Sequence, residues 1–181
     1  RPEDRQAVMD VLESGWLTGG PSVRDFEADL AVVCGAPEAV SCANGTTSLH
    51  LVAEAIAAPP GAWWICTPST FVASIQAGVY AGYRPVFVDA DPKTGLVCLE
   101  SLAGLLEAAR DHDAVVAAVV AVDLNGHSAP INELADLLEV YAVPIVRDAA
   151  HSLGGVDEDG LPVGDNERVL ATSLSFHPVK L

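Results

Sequence analysis

Short apolar runs rich in β-branched residues alternate along this chain with segments whose apolar residues recur at helical spacing, and this alternation narrows the fold more than any other feature. The runs predict strands over residues 39–42, 64–67, 85–88, 114–122, 144–146 and 169–174. Helices are predicted between them over 46–57, 72–81, 99–109 and 131–141. An earlier helix carries Val23, Phe26, Leu30 and Val33 on one face and ends at Gly35. Strands that read as nearly continuous apolar runs are buried on both faces, so the pattern predicts an α/β fold with a mostly parallel sheet flanked by helices. Ligands of such sheets bind beyond the carboxyl ends of the strands. The loops that matter therefore begin after Cys42, Thr67, Val122, Val146 and Leu174.

Composition removes several functions. Half of the 181 residues are hydrophobic, enough for one domain with a core, and no internal repeat or low-complexity linker divides 1–181. Asp and Glu total 25 against 9 Lys and Arg, a formal net charge of −16. Such a surface repels phosphate backbones and anionic membranes, so neither nucleic acid nor membrane is expected as a partner. The longest apolar run, 114–122, lies between Asp113 and Asp123 and falls well short of the roughly 20 residues of a membrane helix. Nothing at the start resembles a secretion signal, and a cytoplasmic location is expected. Cys34, Cys42, Cys66 and Cys98 form no C-x-x-C pair and are predicted to be buried free thiols.

Four loops hold candidate chemistry. Asn44-Gly45-Thr46-Thr47-Ser48 opens a helix after a strand; its free amides and hydroxyls suit a phosphate, or it is an ordinary capped turn. No G-x-x-x-x-G-K-[ST] or G-x-G-x-x-G sequence occurs, which removes the common nucleotide loops. Phe71, in Pro68-Ser69-Thr70-Phe71, either stacks on a planar ring or plugs the core. Asp148, in Asp148-Ala149-Ala150-His151, ends a strand, where a buried carboxylate needs a partner such as a pyridinium N–H. A metal held by Asp148, His151 and His177 has no supporting pattern, and none is assigned. Of the two lysines, Lys93 sits in the polar turn Asp91-Pro92-Lys93-Thr94-Gly95. Lys180 follows a strand among Phe176, Pro178, Val179 and Leu181, surroundings that favour the uncharged amine a nucleophile needs; a snorkelling surface lysine is the alternative.

In order and spacing these motifs resemble the DegT/DnrJ/StrS family of nucleotide-sugar aminotransferases, which are fold-type I enzymes of pyridoxal phosphate. The likeness runs from Trp16-Leu17-Thr18-Gly19-Gly20-Pro21 through Pro85-Val86-Phe87-Val88-Asp89 to Ser175-Phe176-His177-Pro178-Val179-Lys180. The resemblance implies that Lys180 is the Schiff-base lysine and proton shuttle, that Asp148 pairs with the pyridine nitrogen, and that Phe71 stacks on the ring. It implies that Gly45, Thr46, Thr47 and Ser175 hold the phosphate, that His151 lies near the phenolic oxygen, and that His177 lines a sugar pocket. The implied partners are a keto-sugar nucleotide and an amino donor, glutamate or glutamine, in a homodimer with shared active sites. The wording of the Lys180 and Asp91 segments resembles the branch acting on UDP-4-keto-6-deoxy-N-acetylhexosamines.

Two departures stand out. Arg147 occupies a position where relatives usually carry Glu, and Gly19-Gly20-Pro21 replaces the commoner Thr/Gln-Gly-Pro. Relatives also continue for about as many residues again, with a small C-terminal domain. Residues 1–181 therefore correspond to the N-terminal part and cofactor-binding large domain. The family's dehydratases carry His in place of the lysine, which Lys180 argues against. A non-catalytic, regulatory relative of the same fold is the alternative, disfavoured by the joint presence of Asp148, Ser175 and Lys180.

Overall fold

The computed structural model describes residues 1–180; Leu181, expected beside Lys180, lies outside the described residues. Its elements in order are α1 (Pro2–Ser14), α2 (Pro21–Cys34), α3 (Gly45–Ile56), β1 (Trp63–Cys66), α4 (Ala73–Tyr80), β2 (Arg84–Phe87), α5 (Leu99–Asp111), β3 (Val116–Val122), α6 (Ile131–Glu139), β4 (Ile145–Asp148) and β5 (Ala171–Ser173). The five strands form one parallel sheet in the order β2-β1-β3-β4-β5. The order reverses between β1 and β3, and all the carboxyl ends open on one side of the sheet.

The strand alternation sorts the core into two layers. Trp64, Cys66, Ala118, Val120, Val122 and Val146 face Leu49 and Ala53 of α3 and Ala73 and Ala77 of α4. Their neighbours Ile65, Val119, Ala121 and Ile145 face the other way, onto Leu102 and Leu106 of α5 and Leu134 and Leu138 of α6. Each such Leu, Ile or Val taken from water contributes about 1.5–3 kcal/mol. One close approach sets the position of α4. A Cβ on Gly78 would lie 2.2 Å from Trp64 Cγ, so only glycine lets the helix settle this near the sheet. Trp64, fully buried, then donates from Nε1 to Ser74 O at 2.7 Å and fixes the start of α4.

Two expectations need correction. Residues 39–42 are extended but form no strand, because they make no ladder bonds among the described residues. They face the free edge of β5 across a groove of about 770 Å³, lined by Val40, Cys42, Leu170 and Thr172 among others. Their tie to the fold is Glu27 of α2, which accepts from Ser41 N at 2.7 Å and Ser41 Oγ at 2.8 Å. Cys42, in this segment, is exposed, and Cys98, at the start of α5, is half-exposed, against expectation; Cys34 and Cys66 are buried as expected. Helix α1 was not among the predicted helices, and none of its residues is buried. Among the described residues no helix is long and apolar enough to cross a membrane.

Candidate active site

The carboxyl ends of β1, β4 and β5 bring the predicted residues to one side of the sheet. Asp148 closes β4 and is 6% exposed. The Ser74 hydroxyl donates to Oδ2 and the Ala150 amide to Oδ1 at 3.2 Å. Because Ser74 spends its proton on Asp148, its oxygen accepts from Thr70 Oγ1 at 2.7 Å. No cation pairs with Asp148 among the described residues. Burial, and after it the charge of Asp148, push the Cys66 thiol far above its usual range, so Cys66 is an inert core thiol.

Lys180 ends a turn in which its own amide donates to His177 O at 2.8 Å. Its Nζ lies 2.6 Å from His151 Nε2 and 5.8 Å from the centre of the Phe71 ring. Phe71 is 65% exposed, so it does not plug the core, and its ring is free to stack. Lys180 is half-buried rather than solvated, in line with the nucleophile reading.

The third part is the start of α3. Asn44 is an extended N-cap whose Oδ1 accepts from Thr47 N at 2.9 Å and Thr47 Oγ1 at 3.1 Å. The first helical bond runs from Ser48 N to Asn44 O, so the Gly45 and Thr46 amides point out ahead of it. A Cβ on Gly45 would meet Ser175 Cβ at 3.3 Å and Ser175 Oγ at 3.5 Å. Glycine thus keeps a small space between two amides at a helix start and the Ser175 hydroxyl, a suitable seat for an anion. Thr47 differs from expectation: both its donors are turned to the cap.

His177 is exposed and accepts at Nδ1 from Val179 N at 3.3 Å. It lines the groove beside β5 with Gly45 and Ser175, whereas Asp148, His151, Phe71 and Lys180 do not. This groove therefore touches the anion seat and stops short of the reactive cluster. We place the chemistry at the cluster, because it holds the amine and the buried carboxylate.

Ser74 escaped the sequence reading. Nothing local announces a partner 74 residues away.

A parallel sheet ending in a buried acid, an exposed aromatic ring, an amine and a helix-start anion seat is an arrangement that suits pyridoxal phosphate. The chain belongs to the DegT/DnrJ/EryC1/StrS aminotransferase family, whose profile matches residues 1–181. It is 33% identical over 181 residues to the UDP-4-amino-4-deoxy-L-arabinose–oxoglutarate aminotransferase of Shewanella sediminis, covering 98% of this chain and 43% of that protein. Among solved structures it is similar to DesI determined in the presence of its TDP-sugar product, with TM-score 0.80, 34% identity and coverage of 97% and 42%. It is also similar to the PLP form of Spr1654 from Streptococcus pneumoniae, with TM-score 0.88, 26% identity and coverage of 99% and 47%. The chain thus spans less than half the length of each of these relatives.

The residues fit the cofactor of this family. Asp148 offers an acceptor for a ring N–H, Phe71 a face, Gly45 and Ser175 a phosphate seat, and Lys180 an amine.

Proposed function

We propose that residues 1–181 are the N-terminal part and cofactor-binding large domain of an aminotransferase that uses pyridoxal phosphate. It moves an amino group from glutamate, or glutamine, to a keto group on a nucleotide-linked deoxysugar. The observation that carries this reading is Lys180 Nζ between His151 and the Phe71 ring, on the same side of the sheet as the buried Asp148. Family membership and the sugar-nucleotide names of the relatives support the substrate class.

When bound, pyridoxal phosphate supplies an electron sink for a carbanion at the substrate carbon. The protein's share is to hold and orient it and to move protons. Lys180 Nζ would hold the cofactor and would be the group that moves a proton to and from the substrate carbon. Asp148, steadied by Ser74, keeps the ring nitrogen protonated. Phe71 lies against the ring face. The Gly45 and Thr46 amides and Ser175 Oγ bind the phosphate, and Thr47 secures the Asn44 cap that aims them. His151 serves the phenolic-oxygen side, and His177 lines the sugar pocket. The enzyme works in the cytoplasm as a homodimer with shared sites. Exposed Val72, Val79 and Tyr80, close in sequence to Phe71, support a second subunit there.

The test uses the full-length protein purified with pyridoxal phosphate. Borohydride should fix the cofactor on Lys180, seen as a mass increase on that peptide and lost in Lys180→Ala. Glutamate plus a panel of keto-sugar nucleotides, UDP-4-keto-6-deoxy-N-acetylhexosamine included, should yield an aminated sugar by mass. Absence of both label and product would refute the reading.

A further inference from the structure

Arg147 stands beside Asp148 on β4, and its side chain is fully buried. Its guanidinium does four things at once. Nε donates to both oxygens of Asp123, at 3.2 and 3.1 Å. Nη2 donates to Ser128 Oγ at 2.6 Å, and Nη1 to Val163 O at 3.0 Å. Asp123 also accepts from Ala129 N at 2.9 Å. Asp123 and Ser128 are the two ends of one short loop, and Val163 lies in the β4–β5 connection that also carries His151. One planar fork therefore ties the 123–128 loop to the connection bearing His151, a task no point-charge lysine can repeat.

What lies between those ends is a tight turn. Leu124 and His127 exchange two backbone bonds, of 3.0 and 2.9 Å, around Asn125 and Gly126 at φ 52 and 83. Positive φ at both central residues is the mark of a type I′ turn. The turn sits against His151: Asn125 N faces Nδ1 at 3.5 Å, and a Cβ on Gly126 would come within 4.0 Å of His151 O. An amide N–H aimed at Nδ1 makes that nitrogen the acceptor, so the neutral ring carries its proton on Nε2. Nε2 is the atom 2.6 Å from Lys180 Nζ.

We propose that Arg147 and Asp123 are positioning residues for the lysine: they hold the 124–127 turn so that it sets the tautomer and aim of His151, whose Nε2 faces Lys180 Nζ at 2.6 Å. This rests on the reading of Lys180 as the cofactor-bearing residue, yet its central measurement does not.

The test uses full-length, cofactor-free protein and the double variant Asp123→Leu/Arg147→Met, which removes both charges together and so avoids an orphan ion. At alkaline pH, ring nitrogen NMR should find His151 protonated on Nε2 in the parent protein. In a double variant with retained cooperative unfolding, the ring should become a tautomer mixture. Asn125 amide exchange should rise about tenfold or more as the turn opens. Capture of added pyridoxal phosphate, read by borohydride labelling of Lys180, should slow. Ser128→Ala removes only one anchor and should give a smaller change of the same sign; it decides the matter if the double variant does not fold. Unchanged tautomer and exchange in whichever variant folds would overturn the proposal. If parent protein is not labelled at Lys180, the enzymatic reading fails, while the tautomer and exchange data still judge the turn.

Discussion

Asp148 and Arg147 are consecutive residues of β4, both withdrawn from water, and they point to opposite faces of the sheet. Arg147 looks toward the α5–α6 layer and ends with every group matched inside the chain: a carboxylate, a carbonyl and a hydroxyl. Asp148 looks toward the α3–α4 layer and has only hydrogen-bond donors, one hydroxyl and one amide, with no opposite charge among the described residues. Burial raises the Asp123 carboxyl above its usual value, while the charge of Arg147 and the Ala129 amide act against that rise. Asp148 has no such counter-ion. The difference separates two uses of a buried charge. A closed network fixes backbone, whereas a charge held by neutral donors keeps its attraction for an incoming cation such as a pyridinium.

The strongest way to break the comparison is to orphan Arg147. Asp123→Leu alone should cost about 3–5 kcal/mol, because it leaves a sealed guanidinium without its carboxylate. The double variant with Arg147→Met should recover most of that, as denaturant melts of the three proteins would reveal. Asp148→Asn should do the reverse: little change in the melt, and amino transfer reduced on the order of 10²–10³-fold, the usual cost of losing one preorganised electrostatic partner. If both substitutions hurt only stability, the contrast is wrong. Gly78→Ala tests the scaffold behind Asp148; pushing α4 off Trp64 should cost about 1–3 kcal/mol and weaken cofactor binding through Ser74. The smallest effect belongs to the exposed Glu27–Ser41 tie. The Ser41 amide and then its hydroxyl hold the Glu27 carboxyl below its ordinary value. A depressed acid stabilises above its unfolded pKa and loses that contribution as pH falls through the folded one. Ser41 amide protection, taken relative to the intrinsic exchange rate at each pH, should therefore fall only on acidification below the normal carboxylate range.

How much could be read from the sequence follows the same division. β1 and β3 were legible because a strand buried on both faces must be apolar throughout, and 116–122 is seven such residues. Residues 39–42 have a similar composition and failed, since strand identity also requires a hydrogen-bonding neighbour. The loops carrying Asp148, Phe71 and Lys180 announced themselves by residue types that are unusual just past a strand end. Their mutual contacts did not, and neither did the partners that steady them. Ser74 reaches Asp148 across 74 positions and Arg147 reaches Asp123 across 24, distances over which no periodicity carries information.

Trp64 gives the molecule a property of a different kind. An indole shut in the core, with its N–H fixed to Ser74 O, is a stationary emitter one hydrogen bond from the residue that holds Asp148. A cofactor absorbing near the edge of the visible lies within range for resonance energy transfer from it. With half-buried Trp63 and exposed Trp16 changed to Phe, the remaining emission becomes an optical gauge of occupancy, dimming as the site fills and brightening as it empties.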